Sequence, residues 1–128
     1  MITSRKTATR PIREWLDGLP PDDRATIDYR LMQMEAMEIA QWSDKWVSKY
    51  RGTDLFELRI SGNKVQYRPL GVYFGKGRFV ILAGAIERND KLKRSYVETA
   101  QSRHSNLQRD PSHAQFHQFD DPEDLDEV

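Results

Sequence analysis

The chain has 128 residues, no cysteine, and charged side chains at 31% of its positions, enough for one domain with a self-sufficient core and a polar surface. Disulfides and thiolate-bound metals are therefore excluded. No stretch approaches the roughly 20 apolar residues of a membrane span, and residues 1–15 contain no apolar run of signal-peptide length; a soluble cytoplasmic protein is expected. The formal net charge of zero hides an asymmetry, because residues 1–109 carry all 20 Lys and Arg with 13 of the 20 Asp and Glu, a surplus of +7, and residues 110–128 carry the other seven acids. A basic body suits an anionic partner such as nucleic acid, and an acidic tail can compete with that partner.

In chain order, RPIREWLDGLP (10–20) reads as a short helix, with Ile12, Trp15, Leu16 and Leu19 at helical spacing and Gly18 as a stop. A long amphipathic helix follows from Pro20 and Pro21 to Trp42. Asp22 and Asp23 lie where the dipole favours carboxylates, and Ile27, Leu31, Met34 and Met37 or Glu38 trace its face. The methionines read as core filling. Residues 41–54 show no period and read as a connector. LFELRI (55–60) and VQYRPLGVYF (65–74) then read as strands around an SGNK turn. GKG marks another turn, and RFVILAGAI (78–86) is apolar on both faces, as a central strand should be. Pro69 removes a ladder donor, which implies an edge or a bulge. Residues 90–108 return to a helical pattern with Val97, Ala100, His104 and Leu107 on one side, and residues 110–128 read as a disordered acidic tail. There are no internal repeats. Two N-terminal helices, three or four antiparallel strands and a last helix make an α+β domain over residues 1–109, with the helices gathered on one side of a small twisted sheet.

A two-residue turn at Gly62–Asn63 would set Glu57 opposite Arg68 and Arg59 opposite Gln66. Leu58, Ile60, Val65 and Tyr67 would then share the core face, and Glu57, Arg59, Gln66 and Arg68 the other. This polar face has two readings. One is a solvated Glu57–Arg68 pair worth about 0.2–1 kcal/mol. The other follows from two guanidiniums sharing one carboxylate, which leaves positive charge suited to bidentate phosphate binding. Arg88, Lys91, Lys93 and Arg94 follow the central strand. They have two readings of equal weight: a basic, solvated first turn of a helix, which opposes the dipole, or charges that serve an anionic partner over the sheet.

The ordered segments GTDLFELRI (52–60), YRPLGVYF (67–74), RFVILAGAI (78–86) and KLKRSYVETAQSR (91–103) resemble the RelE/ParE toxin superfamily, in particular its HigB-like, phage-derived branch. IREWLDGLPPDDRATI resembles the opening of that branch, so the likeness spans most of residues 10–107. It implies helices packed on a twisted antiparallel sheet and a toxin of a type II toxin–antitoxin system. Such a toxin would cleave messenger RNA on the ribosome without metal or other cofactor, and a cognate antitoxin, expected to be a helix-turn-helix protein, would neutralise it. Carried over by position, Arg59 and Arg68 would contact phosphate and the transition state, Lys91 would be the third catalytic residue, and Arg88, Lys93 and Arg94 would bind nucleic acid. One departure is Glu87, an acid where the family often carries lysine.

Metal-free cleavage by a 2′-hydroxyl needs proton removal, stabilisation of the phosphorane charge, and protonation of the leaving oxygen. The permanently charged arginines suit the second role. For the proton roles, Lys91 leads Lys93, Tyr96 and Tyr73, and His104 reads as a packing residue; His113 and His117 fall in the tail. Two further readings stay open: a topoisomerase inhibitor of the ParE type, and an inactive relative that only binds RNA or protein. The tail either solubilises the protein or lies over the basic face in cis.

Overall fold

The structure, a computed structural model, describes residues 7–8, 10–38, 41–74, 79–89, 91–110 and 115–116. Helix α1 (Arg10–Asp17) buries Ile12 and Leu16, and the Gly18 N–H closes it on the carbonyls of Glu14 and Trp15. Helix α2 (Pro21–Ala36) opens on proline with Asp22 and Asp23 in its first turn, and it buries Ile27, Leu31 and Met34 as the spacing predicts. It stops short of Trp42. The chain doubles back so that the Trp42 indole Nε1 donates to the Met34 carbonyl at 2.8 Å, occupying an acceptor that another helical turn would have used.

Among the described residues there are nine short strands, β1 (Thr7–Ala8), β2 (Val47–Lys49), β3 (Phe56–Leu58), β4 (Ile60–Ser61), β5 (Gln66–Tyr67), β6 (Leu70–Tyr73), β7 (Phe79–Ala83), β8 (Ile86–Glu87) and β9 (Gln115–Phe116), with helix α3 (Arg94–Arg109) between the last two. They form a six-stranded sheet of order β2-β3-β6-β7-β1-β9 and a three-stranded sheet of order β4-β5-β8. The fold is α+β, and among the described residues the strand pairings are antiparallel except β1 against β7. The stretch expected to be a bare connector supplies β2. Within the acidic tail, Gln115–Phe116 pairs with β1; the remainder of that segment, including His113 and His117, and the GKG turn lie outside the described residues.

The expectation that the helices share one side of the sheet is corrected by the core. Alternate residues of β7 point to opposite faces. Phe79 and Ile81 join the cluster built with Ile12, Leu16, Ile27, Leu31 and Met34 of α1 and α2. Val80 and Leu82 join Ala100 and Leu107 of α3. A strand apolar on both faces needs a helix on each, and α3 covers the second.

Three strands break at one line. β3 gives way to β4 at Arg59, β5 to β6 at Arg68–Pro69, and β7 to β8 at Gly84–Ala85, so the expected single strands each pass from the large sheet to the small one. Pro69 has no N–H to give the ladder, so only its carbonyl serves, accepting from Leu58 N at 2.9 Å. Arg59 N turns away to the Trp46 carbonyl and Arg68 N to that of Ala85, both at 2.8 Å. Gly84 belongs here for want of space: a Cβ would enter the ring of Trp15. The register runs from Phe56 opposite Gly71 to Ser61 opposite Gln66, two residues off the register expected from a two-residue turn. The connection is Gly62–Val65, with Lys64 in the left-handed region (φ 62°). Because the shift is even, the expected faces survive.

Candidate nucleic-acid interface

Arg59 and Arg68 occupy the crease between the two sheets and line one groove of about 410 Å³. Its lining also includes Arg30 from α2 and Lys45 and Trp46 from the turn before β2. Four cations thus converge on a groove that has no carboxylate or histidine in its lining among the described residues. Sequence reasoning found the two sheet arginines and missed the other three residues. Arg30 flanks the buried stripe of α2, three residues after Ile27 and four before Met34, and a charge at the edge of such a stripe reads from sequence as an ordinary solvated one; only the pairing of β2 with β3 brings Lys45 and Trp46 beside Arg59.

The groove is held by backbone as well as by charge. Arg30 Nη1 donates to the Arg59 carbonyl at 3.1 Å, while Arg59 N donates to the Trp46 carbonyl. The Arg30 guanidinium lies 4.8 Å from the centre of the Trp46 ring, a cation–π contact. Its Nε is buried without a hydrogen-bond partner among the described residues. Burial lowers the Arg30 pKa from its ordinary value, yet an arginine stays charged at neutral pH.

The expected Glu57–Arg68 pair does not form, because the register puts Leu70 opposite Glu57. Instead Glu57 takes Arg59 on its own strand at 3.2 Å, and Arg68 takes Glu87 of β8 at 3.1 Å. Each guanidinium has its own carboxylate, so the idea of two arginines sharing a single acid is corrected. Glu87 of β8 supplies the second acid. Arg59 is 47% exposed and Arg68 12%, so Arg59 is the readier to meet a ligand.

The other expected site residues divide. Arg88 lines a second cleft of about 960 Å³ between the α2 start, the Gly62–Val65 turn and β8; Gln66 lines both this cleft and the groove. Lys91 pairs its backbone with Arg88 in a tight bridge before α3 and is exposed. Lys93 is the N-cap residue of α3, without a side-chain capping bond, and Arg94 is offset by Glu98 at 3.0 Å. Lys91, Lys93 and Arg94 are absent from the lining of the groove and of the second cleft. His104 faces a separate hollow beside Asp54 and Gln101, and Tyr96 faces another beside Trp15, so neither lines the arginine groove. Tyr73 packs edge-on against Phe56 and Phe79, and burial raises its pKa. No cluster of three or more metal-binding side chains occurs among the described residues, and no helix among them is long and apolar enough to cross a membrane.

The family model for the phage-derived Gp49-like proteins (DUF891) matches residues 14–105. The chain belongs to that family. No curated protein matches the sequence. In this Gp49-like chain the match runs from α1 into α3, so it takes in every residue of the arginine groove.

Proposed function

We propose that this Gp49-like protein is the toxin of a type II toxin–antitoxin system, acting as a ribosome-dependent, metal-independent messenger RNA endonuclease under the control of a helix-turn-helix antitoxin. The observation that carries this reading is the convergence of Arg30, Lys45, Arg59 and Arg68 on one groove. Guanidiniums fixed at a sheet crease can grip a phosphodiester and stabilise the charge that grows on it during attack by the 2′-hydroxyl. Resemblance to RelE/HigB toxins and membership of a phage-derived family both favour that use of the groove. Lys91, on the turn beside Arg88, is the candidate for proton transfer, with Arg88, Lys93 and Arg94 extending the basic surface.

Primer extension on transcripts after induced expression tests this. Cuts in phase with codons, reduced ~10²–10³-fold by Arg68→Ala, are expected, that being the usual cost of losing one preorganised charge donor. Growth arrest with intact transcripts and relaxed DNA would instead indicate a topoisomerase inhibitor. A reading frame for a small helix-turn-helix protein should adjoin the gene. A second reading, a non-cleaving RNA- or protein-binding relative, is favoured by the Glu57–Arg59 and Glu87–Arg68 pairs, which mute both guanidiniums; absence of toxicity would select it.

A further inference from the structure

We infer that the groove holds one unpaired nucleotide, with its base stacked on Arg30 and its phosphate between Arg59 and Arg68. The inference rests on the RNA reading above and names the part of RNA that the site takes. Arg30 is not placed as a free surface charge. Its guanidinium is backed by the Trp46 indole at 4.8 Å and anchored through Nη1 to the Arg59 carbonyl at 3.1 Å. The guanidinium carbon lies over the indole ring, and both side chains line the groove. A flat, backed cation is a platform for a nucleobase, since bases stack on arginine planes as well as on aromatic rings.

Size supports a single nucleotide. The groove's 410 Å³ lies near the lower end of the roughly 300–1,000 Å³ found for small-ligand sites. A duplex keeps its bases stacked inside and cannot present one to this plane. Ser61 and Gln66 line the same groove, and Ser61 Oγ donates to Gln66 Oε1 at 2.8 Å. The Gln66 amide NH₂ has donors to offer a ribose 2′-hydroxyl, the group that separates RNA from DNA.

The test uses the full chain with inorganic phosphate, uridine monophosphate and single-stranded hexauridylate, read by calorimetry and tryptophan emission at low salt. The wild type should bind both uridine ligands more tightly than phosphate and change emission with them. Arg30→Lys keeps the charge and removes the plane. It should weaken the uridine ligands by ~5- to 150-fold, the range for one stacked base, while phosphate binding changes by less than about threefold. Trp46→Phe, which keeps an aromatic backing, should retain most of the affinity and guards against a folding defect in the first variant. Equal weakening of phosphate and nucleotide by Arg30→Lys, or no weakening, overturns the stacking role and leaves the RNA reading intact. Failure of the wild type to bind any of the three ligands overturns both.

Discussion

The Tyr67 hydroxyl donates to the Asp23 carboxylate across 2.5 Å, and the same carboxylate accepts the Asn63 N–H at 2.8 Å. One buried acid at the start of α2 thereby fastens both the small sheet and its turn to the helix. Gly62 leaves the room, since a Cβ there would meet the Tyr67 ring and the Asp23 carboxylate.

This pairing predicts a two-sided pH dependence. The bonds from Tyr67 and then Asn63 hold Asp23 below its ordinary 3.8, so its contribution is present above that value and lost as pH falls through the lower folded-state one. Burial and then the bond to Asp23 push Tyr67 up from 10.0 to about 12, so its contribution is full below pH 10 and lost as pH rises toward 12. Urea midpoints measured across pH should fall at both ends. Asp23→Asn should flatten the acid limb, and Tyr67→Phe should flatten the alkaline limb and lower the midpoint at neutrality.

Gly84→Ala should cost about 1–3 kcal/mol, the usual range for overpacking. The added methyl would enter the indole of Trp15. Denaturant unfolding should show part of that loss recovered when Trp15→Phe is combined with it; full additivity of the two losses would exclude the clash.

Glu87→Gln should strengthen binding of single-stranded RNA by up to about fivefold, because it releases Arg68 from a partly exposed pair of a kind worth ~0.2–1 kcal/mol. Arg68→Ala should weaken binding and reduce the slope of log affinity against log salt by ~0.7, one phosphate contact on a single strand. Fluorescence anisotropy over a salt series measures both.

Removing residues 117–128 takes away six acids and no Lys or Arg, leaving a net charge of +6. RNA association should become faster at low salt and more salt-dependent. Stopped-flow association rates that match the full-length chain would confine the tail to solubility.

How far the fold could be read from the sequence depended on how local the deciding interactions are. Ile27, Leu31 and Met34 mark the buried stripe of α2 by spacing alone, and the doubly apolar run of β7 marks a central strand. The turn failed because its geometry is decided at a distance, by Asp23 capturing Asn63 N from α2, with Lys64 rather than Gly62 taking the left-handed conformation. The same holds for the site. Arg59 and Arg68 were legible from strand alternation, while Glu87 as the partner of Arg68, and Arg30, Lys45 and Trp46 as neighbours of Arg59, arise only when separate elements meet.

The crease where Arg59 and Arg68 interrupt their strands has a mechanical consequence. The N–H groups of both arginines leave the strand ladders there for the Trp46 and Ala85 carbonyls, and Asp23 pins the small sheet to α2. The two backbones are thus held by bonds that no side-chain change at 59 or 68 removes, so either guanidinium can be altered with the crease left standing.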